Sequence, residues 1–228
     1  CFLNDIAVAN SGLLREYSLI DNRVRNLMMA VKLWAKDHQI NSAKDNYISS
    51  YAWINLVIFY LQCIGFVPNL QCPELMEAVG FRPDPKGNIW HRVKELDTWY
   101  LTWNQVQRQK AWTQPSHLSE MTVSVLLYGF FEFYSSRFPV GTYSVSIKEG
   151  VIKKLKIQSK KARLFISIED PFETFDSHCP HDLSVPISEN GTRDVLQYFR
   201  TAERHLRNIL LGSQSHNGKL WPEFTRAS

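Results

Sequence analysis

The sequence predicts an α+β fold that is mainly α, a helical domain carrying a few short β-strands. Apolar residues recur at helical spacing through most of the first 66 residues and again after residue 118. Near residue 142 the pattern changes to short runs rich in β-branched residues. A last amphipathic stretch over about 191–211 returns to the helical period.

Residues 4–17 are expected to form the first helix, with Ile6, Leu13, Leu14 and Tyr17 as core contacts. Asp21 is a good N-cap for the next helix, about 22–38, because a short carboxylate can accept from the unpaired N–H groups of a first turn. There Val24, Leu27, Met28, Val31 and Ala35 share one face, and Arg25, Met29, Lys32 and Lys36 share another. Ser49 or Ser50 should cap a third helix, about 50–64, that stops near Gly65. It is apolar nearly all round, so it should be the buried central helix. Its stretch AWINLVIFYLQCIGF is too short, and too interrupted by Asn55 and Gln62, to span a bilayer.

Residues 67–118 are the least regular part, punctuated by Pro68, Pro73, Pro83, Pro85 and Pro115 and by two aromatic stretches, NIWHRV and DTWYLTWNQV. They read as a variable surface excursion with short helices. A further helix is expected over about 119–136, then β segments at 142–148, 151–157 and 163–168. The final helix should turn Val195, Leu196, Phe199, Ala202, His205, Leu206 and Leu210 to one side. A length of 228 residues allows one domain with a sizeable core. We read 1–228 as that one domain, interrupted by the excursion at about 67–118.

Hydrophobic residues make up 44% and charged residues 21%, which excludes a disordered chain. The net charge of +4 permits an anionic partner without requiring one. Cys1, Cys63, Cys72 and Cys179 form no CxxC pair and are too few for a disulfide scaffold, so reduced thiols are expected. His178, Cys179 and His181 sit close together, but no fourth ligand follows at a sensible spacing, and no metal site is assigned. The chain opens in mid-pattern without a Met, and a fragment of a longer protein is expected.

Several constellations could carry chemistry, each with a plainer reading. Lys32 and Lys36 lie one helical turn apart and could grip a triphosphate, or form a solvated face. Ser50 and Tyr51 at a helix start could meet an anion and a base, or serve as a cap and a core ring. Asn10 and Ser11 could simply face water. Lys153, Lys154, Lys156, Lys160, Lys161 and Arg163 could follow a nucleic-acid backbone, or solvate a hairpin. Asp170 and Glu173 leave an apolar strand beside Pro171, where a turn would suffice to explain them. No GxGxxG, P-loop, HExxH or Ser/His/Asp order is present.

The order of these features resembles the C-terminal part of the noncanonical terminal nucleotidyltransferases, the poly(A) polymerase/terminal uridylyltransferase family. The resemblance runs through CFLNDIAVANSGLLREYSLIDNRVRNLMMAVKLWAKDHQIN, ISSYAWINLVIFYLQ, SVLLYGFFEFYSSRF, VSIKEG and IEDPFE, and omits about 67–118. It implies a helical nucleotide-recognition domain that faces a separate catalytic palm domain across a cleft. It also implies two-metal nucleotidyl transfer with Mg²⁺ held by three aspartates. The Gly-Ser, DxD and third-aspartate positions of that pattern are missing from this sequence, so the stretch by itself is expected to be inactive.

By the same resemblance Asn10 and Ser11 match positions that contact the ribose and its phosphates. Lys32, Lys36 and Ser50 match the triphosphate ligands, Tyr51 the aromatic that stacks on the base, and Asp170 and Glu173 the acidic pair that reads the base edge. Uracil N3–H is a donor and an ionised carboxylate only accepts, which tilts the reading from ATP toward UTP. Some uridylyltransferases have a histidine three residues beyond that glutamate. Here Asp176 stands there and His178 follows, so both are candidates for base selectivity. The resemblance thus implies the nucleotide- and RNA-binding part of an RNA 3′-terminal uridylyltransferase. UTP is its substrate, RNA 3′ ends and accessory protein subunits are its partners, and no membrane is involved. Its expected place is intracellular, cytoplasmic before mitochondrial. The rivals are a poly(A) polymerase using ATP, a non-catalytic RNA-binding scaffold and a purely helical interaction domain.

Overall fold

The computed structural model describes residues 2–81, 92–93, 96–150, 153–154, 166–174, 176 and 181–212. Helix α1 (Phe2–Ile20) runs almost directly into α2 (Asn22–Asp37), with only Asp21 between them. Asp21 is extended (φ −156°, ψ 141°), and its side chain accepts from the Arg23 N–H at 2.7 Å, so the expected cap is present. The face Val24, Leu27, Met28, Val31 and Ala35 is buried, while Arg25, Met29, Lys32 and Lys36 are exposed.

Helix α3 (Ser50–Cys63) is the buried centre, and α2 packs along it. Its cap is Ser49, whose hydroxyl accepts from the Ala52 N–H at 3.2 Å. The helix ends at Gly65, whose φ of +70° is the left-handed conformation that glycine adopts without a side-chain penalty. A Cβ there would meet nothing within 4 Å, so the demand is on the backbone and not on space.

Helix α4 (Pro73–Ala78), a two-stranded hairpin of β1 (Arg92–Val93) and β2 (Leu96–Asp97), and α5 (Trp103–Arg108) follow. The expectation of a surface excursion is corrected here: Leu70, Met76, Leu101, Val106 and Leu118 all enter the main core. Arg23 explains part of the attachment. Its guanidinium donates to the carbonyls of Leu118, Ser119 and Met121 and to the Gln114 side chain, and it lies 4.7 Å over the Phe66 ring.

Helix α6 (Val123–Glu132) starts later than periodicity predicts, because Thr122 caps it by accepting from the Val125 N–H at 3.3 Å. Its C-terminal end widens into a π-helical turn, Phe133–Arg137, closed by the Phe138 N–H on the Phe133 carbonyl at 2.8 Å. Helix α7 (Glu189–Gly212) packs along α6. Of its expected inner face, Val195 and Phe199 are buried, whereas His205 is exposed. Phe199 stacks on Trp34 at 5.8 Å and 7°, and on Tyr134 at 5.8 Å and 21°. That stacking ties α7 to α2 and to the turn after α6.

The small sheet has the order β4-β3-β5. Strand β3 (Tyr143–Val145) pairs antiparallel with β4 (Lys153–Lys154) and parallel with β5 (Ser167–Ile168), in the register Val145 opposite Ile168. Residues 163–165 of the expected third segment lie outside the described residues. Strand β5 delivers the chain to the acidic turn, and the Glu169 N–H donating to the Val145 carbonyl at 2.9 Å fixes where that turn begins. Among the described residues no helix is long and apolar enough to cross a membrane.

Candidate nucleotide-binding site

The acidic turn is built around one carboxylate. Asp170 Oδ1 accepts from the backbone N–H groups of Phe172 (3.0 Å) and Glu173 (3.2 Å), an Asx turn that needs a short acceptor side chain. The residue is only 1% exposed, so this carboxylate organises the turn and has little surface left for a direct contact. Glu173 is partly buried and is the member of the pair that a ligand can reach.

Two further layers hold the turn closed. The Asp170 N–H donates to the His181 carbonyl at 3.1 Å, and the His181 N–H returns to the Glu173 carbonyl at 3.0 Å. At the base, Asp182 accepts from the Ser167 hydroxyl (2.7 Å), the Ile168 N–H (3.1 Å) and the Ser184 N–H (2.8 Å). Sequence reasoning missed Asp182. Its signal is the D-x-S spacing to Ser184, an Asx pattern that is common in loops.

The helices supply the rest of the wall. Asn10, midway along α1, donates from Nδ2 to Asp170 Oδ2 at 3.4 Å across 160 residues of sequence. Its Oδ1 is buried with no partner. Ser11 is exposed and bonds back to the Ala7 carbonyl at 2.8 Å. Of this weak pair, then, the fold brings Asn10 to the acidic turn and leaves Ser11 on the surface. Tyr51, in the first turn of α3, is half-buried, and its hydroxyl is enclosed without a hydrogen bond. Burial first, and then the Asp170 charge, hold this phenol protonated well above its usual range. A donor O–H facing an acceptor carboxylate is a polarised, incompletely paired surface.

Because Ser49 is the cap, Ser50 is free of that duty. Its hydroxyl accepts from Asn41 Nδ2 at 3.4 Å, beside the C-terminal end of α2. Lys32 and Lys36 are exposed on α2 and have no ion pair among the described residues. Two uncompensated ammonium groups on one face form a local positive field. Asp176 is exposed in a turn beyond Glu173. His178, Lys156, Lys160, Lys161 and Arg163 lie outside the described residues, and of Lys153 and Lys154 only the β4 backbone is described.

His181 is the residue that sequence reasoning placed elsewhere, as one of three weak zinc ligands. Its Nδ1 lies 3.4 Å from Glu173 Oε2 and 3.9 Å from Asp170 Oδ2. One ligand atom from each of Asp170, Glu173 and His181 falls within 4.8 Å of the others, close enough to share a cation. Mg²⁺ fits this set poorly, because it demands near-octahedral oxygen ligands, and here one ligand is an imidazole and one carboxylate is already committed to backbone.

Residues 122–175 match the family described as Cid1 family poly A polymerase, in its PAP-associated region. Human poly(A) RNA polymerase GLD2 is 29% identical over 174 residues, which cover 75% of this chain and 32% of GLD2. Caffeine-induced protein 16 of Schizosaccharomyces pombe is 30% identical over 177 residues, which cover 75% of this chain and 14% of that protein. Among solved structures, a cytoplasmic RNA terminal U-transferase superposes with a TM-score of 0.63 at 27% identity, over 89% of this chain and 59% of that one. Cid1 in complex with the UTP analog UMPNPP superposes with a TM-score of 0.64 at 27% identity, over 93% of this chain and 61% of that one. Residues 122–175 thus carry the PAP-associated region of that family, and the chain as a whole is similar in sequence and fold to noncanonical poly(A) and poly(U) polymerases. It spans about a third of the length of GLD2.

Proposed function

We propose that this chain is the nucleotide- and RNA-binding part of an RNA 3′-terminal uridylyltransferase, which adds UMP from UTP to an RNA end without a template. The observation that carries this reading is the acidic turn with its two helical partners. Asp170 is locked by backbone donors, Glu173 remains reachable, and the Tyr51 hydroxyl and Asn10 Oδ1 are enclosed beside it without partners. An acceptor-only carboxylate at a base edge rewards the uracil N3–H donor and leaves adenine, which has no ring N–H at that edge, without an equivalent bond. On this reading Tyr51 stacks on the base and Asn10 reaches the ribose. Lys32 and Lys36, with Ser50, neutralise the triphosphate. The carboxylates that would hold Mg²⁺ are assigned outside this stretch; when bound, the ion would help activate the RNA 3′-hydroxyl and neutralise charge on the leaving pyrophosphate.

The poly(A) RNA polymerases among the relatives favour ATP as the second reading. One titration separates the two: UTP, ATP, CTP and GTP against the full-length protein with Mg²⁺, beside Tyr51→Ala and Glu173→Ala. The uridylyltransferase reading expects a UTP preference that Glu173→Ala abolishes. An ATP preference that survives in Glu173→Ala installs the second reading, and equal binding untouched by either change removes the site. Lys32→Ala and Lys36→Ala are each expected to weaken UTP binding by about 1–3 kcal/mol, the worth of a charge-assisted contact.

A further inference from the structure

A second groove lies at the other end of α1. The acidic turn meets α1 at Asn10, whereas this groove opens beside Ile20 and Asp21, ten residues further along. That is about 15 Å along a helix axis. The groove has a volume of about 450 Å³, within the range of small-ligand sites, and its walls include Trp103, Gln107, Lys110, Trp112 and Thr113.

Its composition is specific. Trp103 and Trp112 meet edge to face at 6.1 Å, and neither is fully buried, so ring surface is left for another flat partner. Asp21, the acid on the wall, is held by Arg23 at 2.7 Å, which offsets its charge. Lys110 and the nearby Arg108 are exposed and have no ion pair among the described residues. The groove therefore combines aromatic faces with uncompensated positive charge.

Lys110 also occupies a position that its side chain does not favour. It stands just past the C-terminal end of α5 with φ +49°, and it closes that end by donating from its N–H to the Gln107 carbonyl at 3.1 Å. Glycine takes this left-handed position at least cost, and lysine takes it with a steric penalty. The fold thus accepts a local cost that places an ammonium group on the rim of the groove.

We infer that this groove holds a nucleotide of single-stranded RNA, with its base against Trp103 and Trp112 and its phosphate near Lys110. Aromatic stacking joined to a backbone-tracking cation is the chemistry of single-strand recognition. The inference rests on the RNA-binding reading above and adds a second contact for the same strand, well removed from the acidic turn.

The test uses the full-length protein and a short oligouridylate carrying 4-thiouridine. Photocrosslinks are mapped by mass spectrometry, and RNA affinity is measured against salt for wild type, Lys110→Gly and Trp112→Ala. The expected result is a crosslink within 103–114 that Trp112→Ala abolishes while UTP affinity is retained. Lys110→Gly should raise the melting temperature, because it relieves the left-handed lysine. It should also weaken RNA binding several-fold and flatten the salt slope by about 0.7, one single-strand phosphate contact. Opposite movement of stability and affinity in one variant cannot come from unfolding. RNA binding that is unchanged in both variants, with no crosslink in this segment, overturns the inference and leaves the function reading standing. Failure of the wild type to bind RNA at all removes both. Saturation of the groove by UMP as tightly as by RNA overturns the RNA assignment in favour of a mononucleotide site.

Discussion

The aromatic core and the acidic wall share helix α3 but handle polar groups in different ways. In the core between α2, α3, α6 and α7, the Trp53 indole donates to the Ile40 carbonyl at 3.0 Å, and the Tyr134 hydroxyl donates to the Leu56 carbonyl at 2.8 Å. Those rings close on their own backbone and offer nothing outward. Along the wall made by α1, the start of α3 and the acidic turn, the Tyr51 hydroxyl and Asn10 Oδ1 are enclosed with no partner. An enclosed polar atom without a partner costs free energy that a ligand can recover. Partnerless buried atoms also occur within α3, at Asn55 Oδ1 and Gln62 Oε1, so what sets the wall apart is that its unpaired atoms cluster beside the acidic turn.

Removing a core ring should be the largest effect. Trp53→Ala deletes a fully buried indole that touches Trp34 and Phe199 edge to face, and it should cost about 3–5 kcal/mol in denaturant unfolding. Nucleotide discrimination should persist in whatever fraction stays folded. A selective loss of UTP preference at full stability would erase the distinction between core and wall.

The acidic turn should show the reverse. Asp170→Asn keeps an Oδ1 acceptor for the Phe172 and Glu173 N–H groups and loses the charge, whereas Asp170→Ala loses both. We expect the Asn variant to remain within about 1 kcal/mol of wild-type stability and to lose about tenfold in UTP preference. The Ala variant should lose stability as well. Equal behaviour of the two in melting and in nucleotide titration would show that the turn does not depend on its Asx geometry.

A third effect belongs to pH. Hydrogen bonding to Arg23 lowers the Asp21 pKa below the usual carboxylate value. A depressed folded pKa gives stability that is present above the unfolded value and is lost as pH falls through the folded one. Acid titration of Asp21→Asn should therefore show a shallower loss of stability on the acid side than wild type. At neutral pH the variant should cost about 1 kcal/mol or less, because Asn still caps a helix.

The smallest effect tests the contact of α1 with the middle segment. A Cβ added at Gly12 would lie 2.2 Å from the Tyr100 hydroxyl and 3.3 Å from its ring carbon, so the tyrosine must shift. Gly12→Ala should gain up to about 1 kcal/mol of helix propensity and lose a similar amount in displacing Tyr100. Combined with Tyr100→Phe, the propensity gain should emerge as a coupling in a double-mutant cycle. Simple additivity would mean that Tyr100 moves aside freely.

The main helices, the cap at Asp21 and the buried face of α2 follow from residues within a few positions of one another, which is why sequence alone determined them, whereas the Thr122 cap that delays α6 was read only from the structure. Local hydrogen bonding and the helical period need no distant partner. Sequence order was also enough to expect the roles of Lys32, Lys36, Tyr51 and the acidic pair, because the family pattern is collinear with the chain. Tertiary structure decided what those residues face. Asn10 became a partner of Asp170 only when α1 met a turn 160 residues away, and His181 joined Glu173 only when Asp182 latched the loop. The middle segment joined the core for the same reason: Leu70, Met76, Leu101 and Val106 have no clear local period, and their burial depends on the packing of α1 against the segment and on the Arg23 bonds that anchor its end. A side chain's period is written in its neighbours, but its partner is set by the three-dimensional path of the chain.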